Sequence, residues 1–267
     1  MLNVLAISGS DSSGGAGMQC DIKTITKHGH NALSVATSIT AQNSTGLLHM
    51  EHASPSSVAI QLQSIFSELK VHAVKTGMIP TRKSITNVCN ALTSYEVDAP
   101  YVLDPVLATT SGSGLVEPGS LKSMIDRLFP LATLVTPNVA EAQNILGRKI
   151  ATLEESIDAA RSILQYGSKF VLVKGGHLTD FPGNDVLVGR YDSTNAEIIE
   201  CGEYFPHRDV HGTGCALASA IACGLARGRE VRDAVIRAKR YVTKAIATAQ
   251  ELAPGFWSLN HQSSHTD

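Results

Sequence analysis

Two glycine-rich segments and a few isolated polar positions could carry chemistry in this sequence. Ser8–Gly17 reads SGSDSSGGAG, with four glycines between an apolar run and a helical pattern. Glycines let the backbone pass close to a ligand, and a following helix presents free N–H groups to an anion. The segment is neither G-x-x-x-x-G-K-[ST] nor G-x-G-x-x-G. Its alternative reading is an ordinary strand-to-helix turn. His211–Cys215 reads HGTGC and runs into the small-residue stretch ALASAIACGLA. Gly212 and Gly214 permit close approach. The helix start favours a phosphate or a developing alkoxide, and its dipole favours a thiolate at Cys215. Against this stands a structural turn whose cysteine is an inert small hydrophobe.

Three further positions deserve the same double reading. In Thr136–Glu141, TPNVAE, Pro137 stops upstream helix and Asn138 is placed as an N-cap, with Glu141 three residues on. That spacing makes a capping box, or sets a carboxylate where it could hold magnesium beside a phosphate. Asp104 ends the apolar run YVLDPVL, where a carboxylate is costly unless paired or functional. Lys174 ends VLVKGGH, and is either a phosphate contact or a lysine snorkelling at a sheet margin. No G-x-S-x-G elbow and no H-E-x-x-H occurs, and His49-Met50-Glu51 has no P-C-x-x-C to complete a deaminase signature.

The elements that must position these residues alternate along the chain. Short apolar runs at Val4–Ile7, Ala32–Ile39, Val71–Lys75, Tyr101–Leu107, Leu134–Thr136 and Phe170–Lys174 predict strands. Helical spacing predicts a first helix with Met18, Ile22 and Ile25 on one face and Gly29 as its stop. It predicts further helices at Ser56–Leu69, Ser84–Leu92, Leu121–Leu128, Val139–Leu146, Ser156–Gln165, Gly214–Ala226 and Val231–Ala249. Asp185–Tyr191 and Glu197–Phe205 read as a late antiparallel pair at the sheet edge. This rhythm implies a mainly parallel sheet covered on both faces, in a single domain over residues 1–259, with 260–267 as a frayed tail. Open parallel sheets bind ligands beyond the carboxyl ends of their strands, which is where the polar and glycine-rich segments fall.

Composition narrows the classes. The 267 residues are 43% hydrophobic and 17% charged, with a formal net charge of −2, which suits a large buried core. No basic stripe argues for nucleic acid and no basic amphipathic face for a membrane. Five cysteines without C-x-x-C are no disulfide framework, and reduced thiols fit a cytoplasmic protein. The first residues carry no charged leader and read as a strand.

In order, SGSDSSGGAGMQCDIKT, TAQNSTG, KTGM, LDPV, TPNVAEA, VLVKGGH, HGTGCALASAIA and AKRYVTKAI span Gly9 to Ile246. Their combination closely resembles the hydroxymethylpyrimidine/phosphomethylpyrimidine kinases of thiamine biosynthesis, in the ribokinase-like superfamily. The resemblance implies a three-layer α/β/α fold and ATP-dependent phosphorylation of a pyrimidine hydroxymethyl group with Mg2+. It implies that Gly9, Asp21, Gln42, Met78 and Val106 line the pyrimidine pocket, with Gln42 on the ring edge. Asp104, Asn138, Lys174, Thr213 and Lys239 fall on the nucleotide side, and Glu141 and Asp104 toward magnesium. Gly212, Gly214 and Cys215 take the catalytic turn, Cys215 standing where many sugar kinases of the superfamily carry aspartate. A homodimer is the family's expected assembly. One departure concerns the second phosphorylation. Some members carry A-K-S-G after the LDPV strand, where this chain has Ala108-Thr109-Thr110-Ser111-Gly112. A pyridoxal kinase of the same superfamily and a catalytically silent pyrimidine sensor are the competing expectations.

Overall fold

Apolar runs that stay hydrophobic on consecutive positions are those of strands buried on both faces, and the computed structural model bears this out over residues 1–108, 114–176, 182–205 and 210–262, the residues it describes. Six strands run parallel in one sheet: β1 (Asn3–Asp11), β2 (Asn31–Asn43), β4 (Ala73–Thr76), β5 (Tyr101–Leu103), β6 (Leu134–Val135) and β7 (Phe170–Lys174). At its edges β3 (Gly46–His52) pairs antiparallel with β2, and β8 (Asp185–Gly189) and β9 (Asp192–Ile199) continue antiparallel from β7. Among the described residues the order is β3-β2-β1-β4-β5-β6-β7-β8-β9.

Successive strand residues point to opposite faces, and the core divides accordingly. Leu5, Ile7, Val74, Leu103, Val135, Val171 and Val173 pack under α2 (Pro55–Phe66), α3 (Arg82–Ser94), α4 (Ser120–Arg127), α5 (Val139–Leu146) and α6 (Leu153–Leu164). Their neighbours Val4, Ala6, Ala73, Val102, Leu134 and Leu172 pack under α1 (Gly17–Lys27), α7 (Thr213–Ala226) and α8 (Val231–Ala247). This is the expected α/β/α layering. A second small sheet joins β10 (Val210–His211) to β12 (Phe256–Ser258), which pairs with β11 (Gln250–Ala253).

Some local expectations need correction. The buried face of α1 is Cys20, Asp21, Thr24 and Ile25, while Met18 and Ile22 stay half-buried, because the helix turns toward α7. Of the residues after Leu259, His261 and Gln262 are held against the domain: Tyr241 Oη lies 2.7 Å from His261 Nδ1, and Lys27 donates to the Gln262 carbonyl. Residues 263–267, His177 and Thr109–Gly112 lie outside the described residues.

Candidate active site

The strand ends, the glycine-rich turn after β1 and the start of α7 enclose a cleft of about 730 Å³. The helix start is built for an anion. Gly212 caps α7 in the left-handed region at φ 87°, no side chain among the described residues caps the helix, and its first internal bond runs from Ala216 N to Gly212 O. The amides of Thr213, Gly214 and Cys215 thus precede the bonded turns and head the helix dipole. A Cβ at Gly212 would stand 1.9 Å from the Gly15 carbonyl oxygen, so only glycine lets the HGTGC turn seat against the first glycine-rich loop.

Beside this turn lies a charged group drawn from the ends of β5 and β7 and the first turn of α5. Lys174 Nζ donates to Asp104 Oδ1 at 2.7 Å and lies 4.0 Å from Glu141 Oε2. Thr136 Oγ1 also donates to Asp104, at 3.2 Å. Lys174 reaches the turn itself, since its Nζ would be 3.2 Å from a Cβ at Gly214. Burial opposes the charge on Lys174, but Asp104 and Glu141 outweigh it and hold its pKa up. The capping box is made in full: Glu141 N donates to Asn138 Oδ1 at 2.8 Å, and Asn138 N to Glu141 Oε2 at 2.7 Å. Glu141 therefore caps α5 and also faces the cleft. Burial pushes its pKa up to about 7; Asp104 adds to the rise, while Lys174 and the Asn138 amide oppose it.

A raised carboxylate pKa has a defined sign in stability. The native state holds the Glu141 proton between about pH 4.5 and 7 while the unfolded chain has released it. Stability therefore falls as pH rises through that window, by up to about 1.4 kcal/mol per unit. Gln at this position retains the cap without the charge. We expect Glu141→Gln to abolish that part of the decline, read as urea midpoints at pH 5 and pH 7.5. An unaltered difference between the two midpoints would contradict the assignment.

Cys215 lines the cleft, half-buried, one turn ahead of Ser219 on α7. The expectation of a ready thiolate is not met. Burial pushes the Cys215 pKa up to about 11, and the nearby Lys75 charge recovers only part of that rise. Desolvation outweighs the helix dipole, so the sulfur rests as a thiol.

Of the remaining expected residues, Gly9, Gln42, Met78 and Val106 line one end of the cleft, and Thr213 and Lys239 line it toward α7 and α8. Lys239 is committed to Asp185 at 2.6 Å. Asp21 is not in the lining. It is fully buried behind the first loop, where it accepts from Lys75 at 2.7 Å, Ser8 Oγ at 2.7 Å and Ser219 Oγ at 2.8 Å. A buried carboxylate needs such partners, and its role is to join α1, β1, β4 and α7 beneath the cleft floor. Sequence reasoning missed Asp11, Asp185 and the apolar wall of Leu217, Val242 and Ile246. For Asp185, the signal was a charge opening a buried strand.

The fold and this cleft define a ribokinase-like small-molecule kinase, with the start of α7 facing a pocket at the sheet's carboxyl edge. The phosphomethylpyrimidine kinase family matches residues 11–260, and the chain belongs to that family. A hydroxymethylpyrimidine/phosphomethylpyrimidine kinase of Rhizobium meliloti is 42% identical over 252 residues, covering 94% of this chain and 92% of the relative. The chain spans 52% of the length of a similar protein, the thiamine biosynthesis bifunctional protein ThiED of Geobacter sulfurreducens, at 41% identity. Among solved structures, phosphomethylpyrimidine kinase from Clostridium difficile 630 superposes with a TM-score of 0.80 at 38% identity, covering 92% of this chain and 100% of that one. An ADP complex of Bacillus subtilis pyridoxal kinase superposes with a TM-score of 0.89 at 30% identity, covering 98% of each chain. Among the described residues no helix is long and apolar enough to cross a membrane.

Proposed function

We propose that the chain transfers the γ-phosphoryl group of ATP to the hydroxymethyl oxygen of 4-amino-5-hydroxymethyl-2-methylpyrimidine, and then phosphorylates the monophosphate to the diphosphate. One observation carries this: the uncapped start of α7 and the Cys215 sulfur share one cleft, with Gly9, Gln42, Met78 and Val106 on one side and the Asp104–Lys174–Glu141 group on the other. The ring lies against the first set, its CH2OH toward Cys215. The triphosphate lies along the second, with the γ-phosphate on the amides of Thr213, Gly214 and Cys215. In transfer the acceptor oxygen forms its bond to the γ-phosphorus as the bond to the β-bridging oxygen of ATP breaks. Cys215, as thiolate, takes the hydroxyl proton. Most of the acceleration comes from positioning and charge neutralisation.

Among the described residues no cluster of three or more His, Cys, Asp or Glu could hold a metal ion. The two carboxylates nevertheless fit magnesium. Glu141 keeps one oxygen outside its cap, and Lys174 neutralises Asp104 at 2.7 Å but Glu141 only at 4.0 Å. Mg2+ is bound through few carboxylates, substrate phosphates and water; when present it would neutralise phosphate charge. We further propose a cytoplasmic homodimer; the five free cysteines support the reducing compartment.

The test is an acceptor screen with labelled ATP, resolving mono- and diphosphate products. Hydroxymethylpyrimidine and its monophosphate should be turned over in preference to pyridoxal. The high superposition on a pyridoxal kinase favours a second reading, and preference for pyridoxal would establish it. Pyrimidine binding without ATP binding would instead mark a silent sensor.

A further inference from the structure

His211 stands where the first glycine-rich loop, the end of β2 and the catalytic turn meet. Its Nε2 lies 3.2 Å from Asp11 Oδ2 and 3.0 Å from the side-chain amide of Gln42. The ring has little room to move. A methyl group at Gly15 would come within 2.9 Å of its Cδ2, Phe256 packs on it at 5.6 Å between centroids, and the residue is pinned by pairing of β10 with β12.

Asp11 is the fixed end of this chain of contacts. Ser13 N donates to Oδ1 at 2.9 Å and Ala16 N to Oδ2 at 2.8 Å. Burial opposes its charge, but His211, Ala16 and Ser13 outweigh burial and hold its pKa down at about 2. Asp11 is thus an ionised group that can only accept. Its Oδ2 facing Nε2 requires that nitrogen to carry a proton, which selects the tautomer. A protonated Nε2 cannot also accept from an amide NH2. The two ends of the Gln42 amide have the same shape, so the hydrogen-bond network decides which one meets the ring. It must be the oxygen, sharing the Nε2–H with Asp11.

We propose that Asp11 and His211 are positioning residues that lock the Gln42 amide with its oxygen on the imidazole and its NH2 toward the acceptor, so that the pocket selects a ring presenting an unprotonated nitrogen at that edge. This rests on the reading that Gln42 meets the acceptor ring. It makes selectivity a property of three residues from separate segments. A site built to hydrogen-bond a substrate group rejects analogues lacking that group, because its own polar atom is left unpaired.

The experiment compares His211→Phe, which keeps a ring against Gly15 and Phe256, with His211→Gln, whose amide offers a donor near the Nε2 position. Steady-state kinetics use hydroxymethylpyrimidine and an analogue with C–H in place of the ring nitrogen that Gln42 meets. The lock predicts that His211→Phe raises the pyrimidine KM roughly tenfold, more than it lowers kcat. The KM for ATP should stay near wild type, and preference over the analogue should collapse. His211→Gln should restore most of both. If His211→Phe does not fold, Asp11→Asn tests the lock from its other end and should also lose acceptor preference. Unaltered acceptor KM and preference in these variants would overturn the inference. So would equal impairment by Phe and Gln, or a parallel rise in the KM for ATP. A wild-type enzyme inactive on every pyrimidine would overturn the functional reading and this inference together. An active wild type with an indifferent His211 would overturn the inference alone.

Discussion

Cys215→Ala is expected to lower kcat by about 10²-fold, toward the low end of the 10²–10⁴ range of a positioned base, with little effect on the KM for ATP. The modest figure follows from the thiol's resting state. With its pKa pushed up to about 11 by burial, little thiolate exists at neutral pH. The base is scarce but strong once formed. The deprotonated fraction grows tenfold per pH unit below the pKa. The Cys215-dependent part of kcat/KM should therefore rise with pH between 7 and 9, and the rise should be missing in Cys215→Ala. Cys215→Ser should resemble Ala, since a hydroxyl is a weaker acid than the thiol. A Cys215→Ala enzyme with wild-type turnover would reduce the sulfur to a packing atom and leave the kinase assignment standing.

Lys75→Met is expected to produce the largest loss of stability. Lys75 and Asp21 are both fully buried and paired at 2.7 Å, with Ser8 and Ser219 completing the carboxylate's partners. Breaking one side of such a pair strands a buried charge and costs about 3–5 kcal/mol. For a chain of this size that lowers Tm by roughly 10 °C. Burial opposes the Lys75 charge, but Asp21 outweighs it and raises the lysine pKa. The lysine's contribution is thus fully present below the unfolded lysine's pKa and is lost as pH rises through the higher folded value. Asp21→Asn added to Lys75→Met should recover part of the loss, because the amide carries no charge and can accept from one serine hydroxyl while donating to the other. Independent losses that simply add would show that the two residues are not coupled. Lys75 is also the charge that most strongly lowers the Cys215 pKa, so Lys75→Met should further slow alkylation of the thiol.

These two sites show where sequence reading reaches and where it stops. β7 and α5 were legible to the residue, because a four-residue apolar run ending in Lys174 and an Asn cap with Glu at N3 are local signals. The site's place at the strand ends followed from topology alone. β3 was not legible: Gly46–His52 is largely open to solvent, so it has no hydrophobic alternation to read. β11 and β12 are short and partly exposed, for the same reason. Asp21 was placed in the pocket by family pattern; its partner lies 54 positions away on β4, a distance that no local spacing records. The raised Cys215 pKa was hidden likewise. The helix dipole can be inferred from HGTGC, but the desolvation that outweighs it comes from packing among α1, β4 and α7.

The most direct test is a crystal structure of the chain with a non-hydrolysable ATP analogue and hydroxymethylpyrimidine. The account predicts the terminal phosphate on the amides of Thr213, Gly214 and Cys215, with the acceptor hydroxyl about 3–3.5 Å from both the phosphorus and the Cys215 sulfur. A triphosphate lying away from the tip of α7, or a hydroxymethyl group turned from that sulfur, would contradict it.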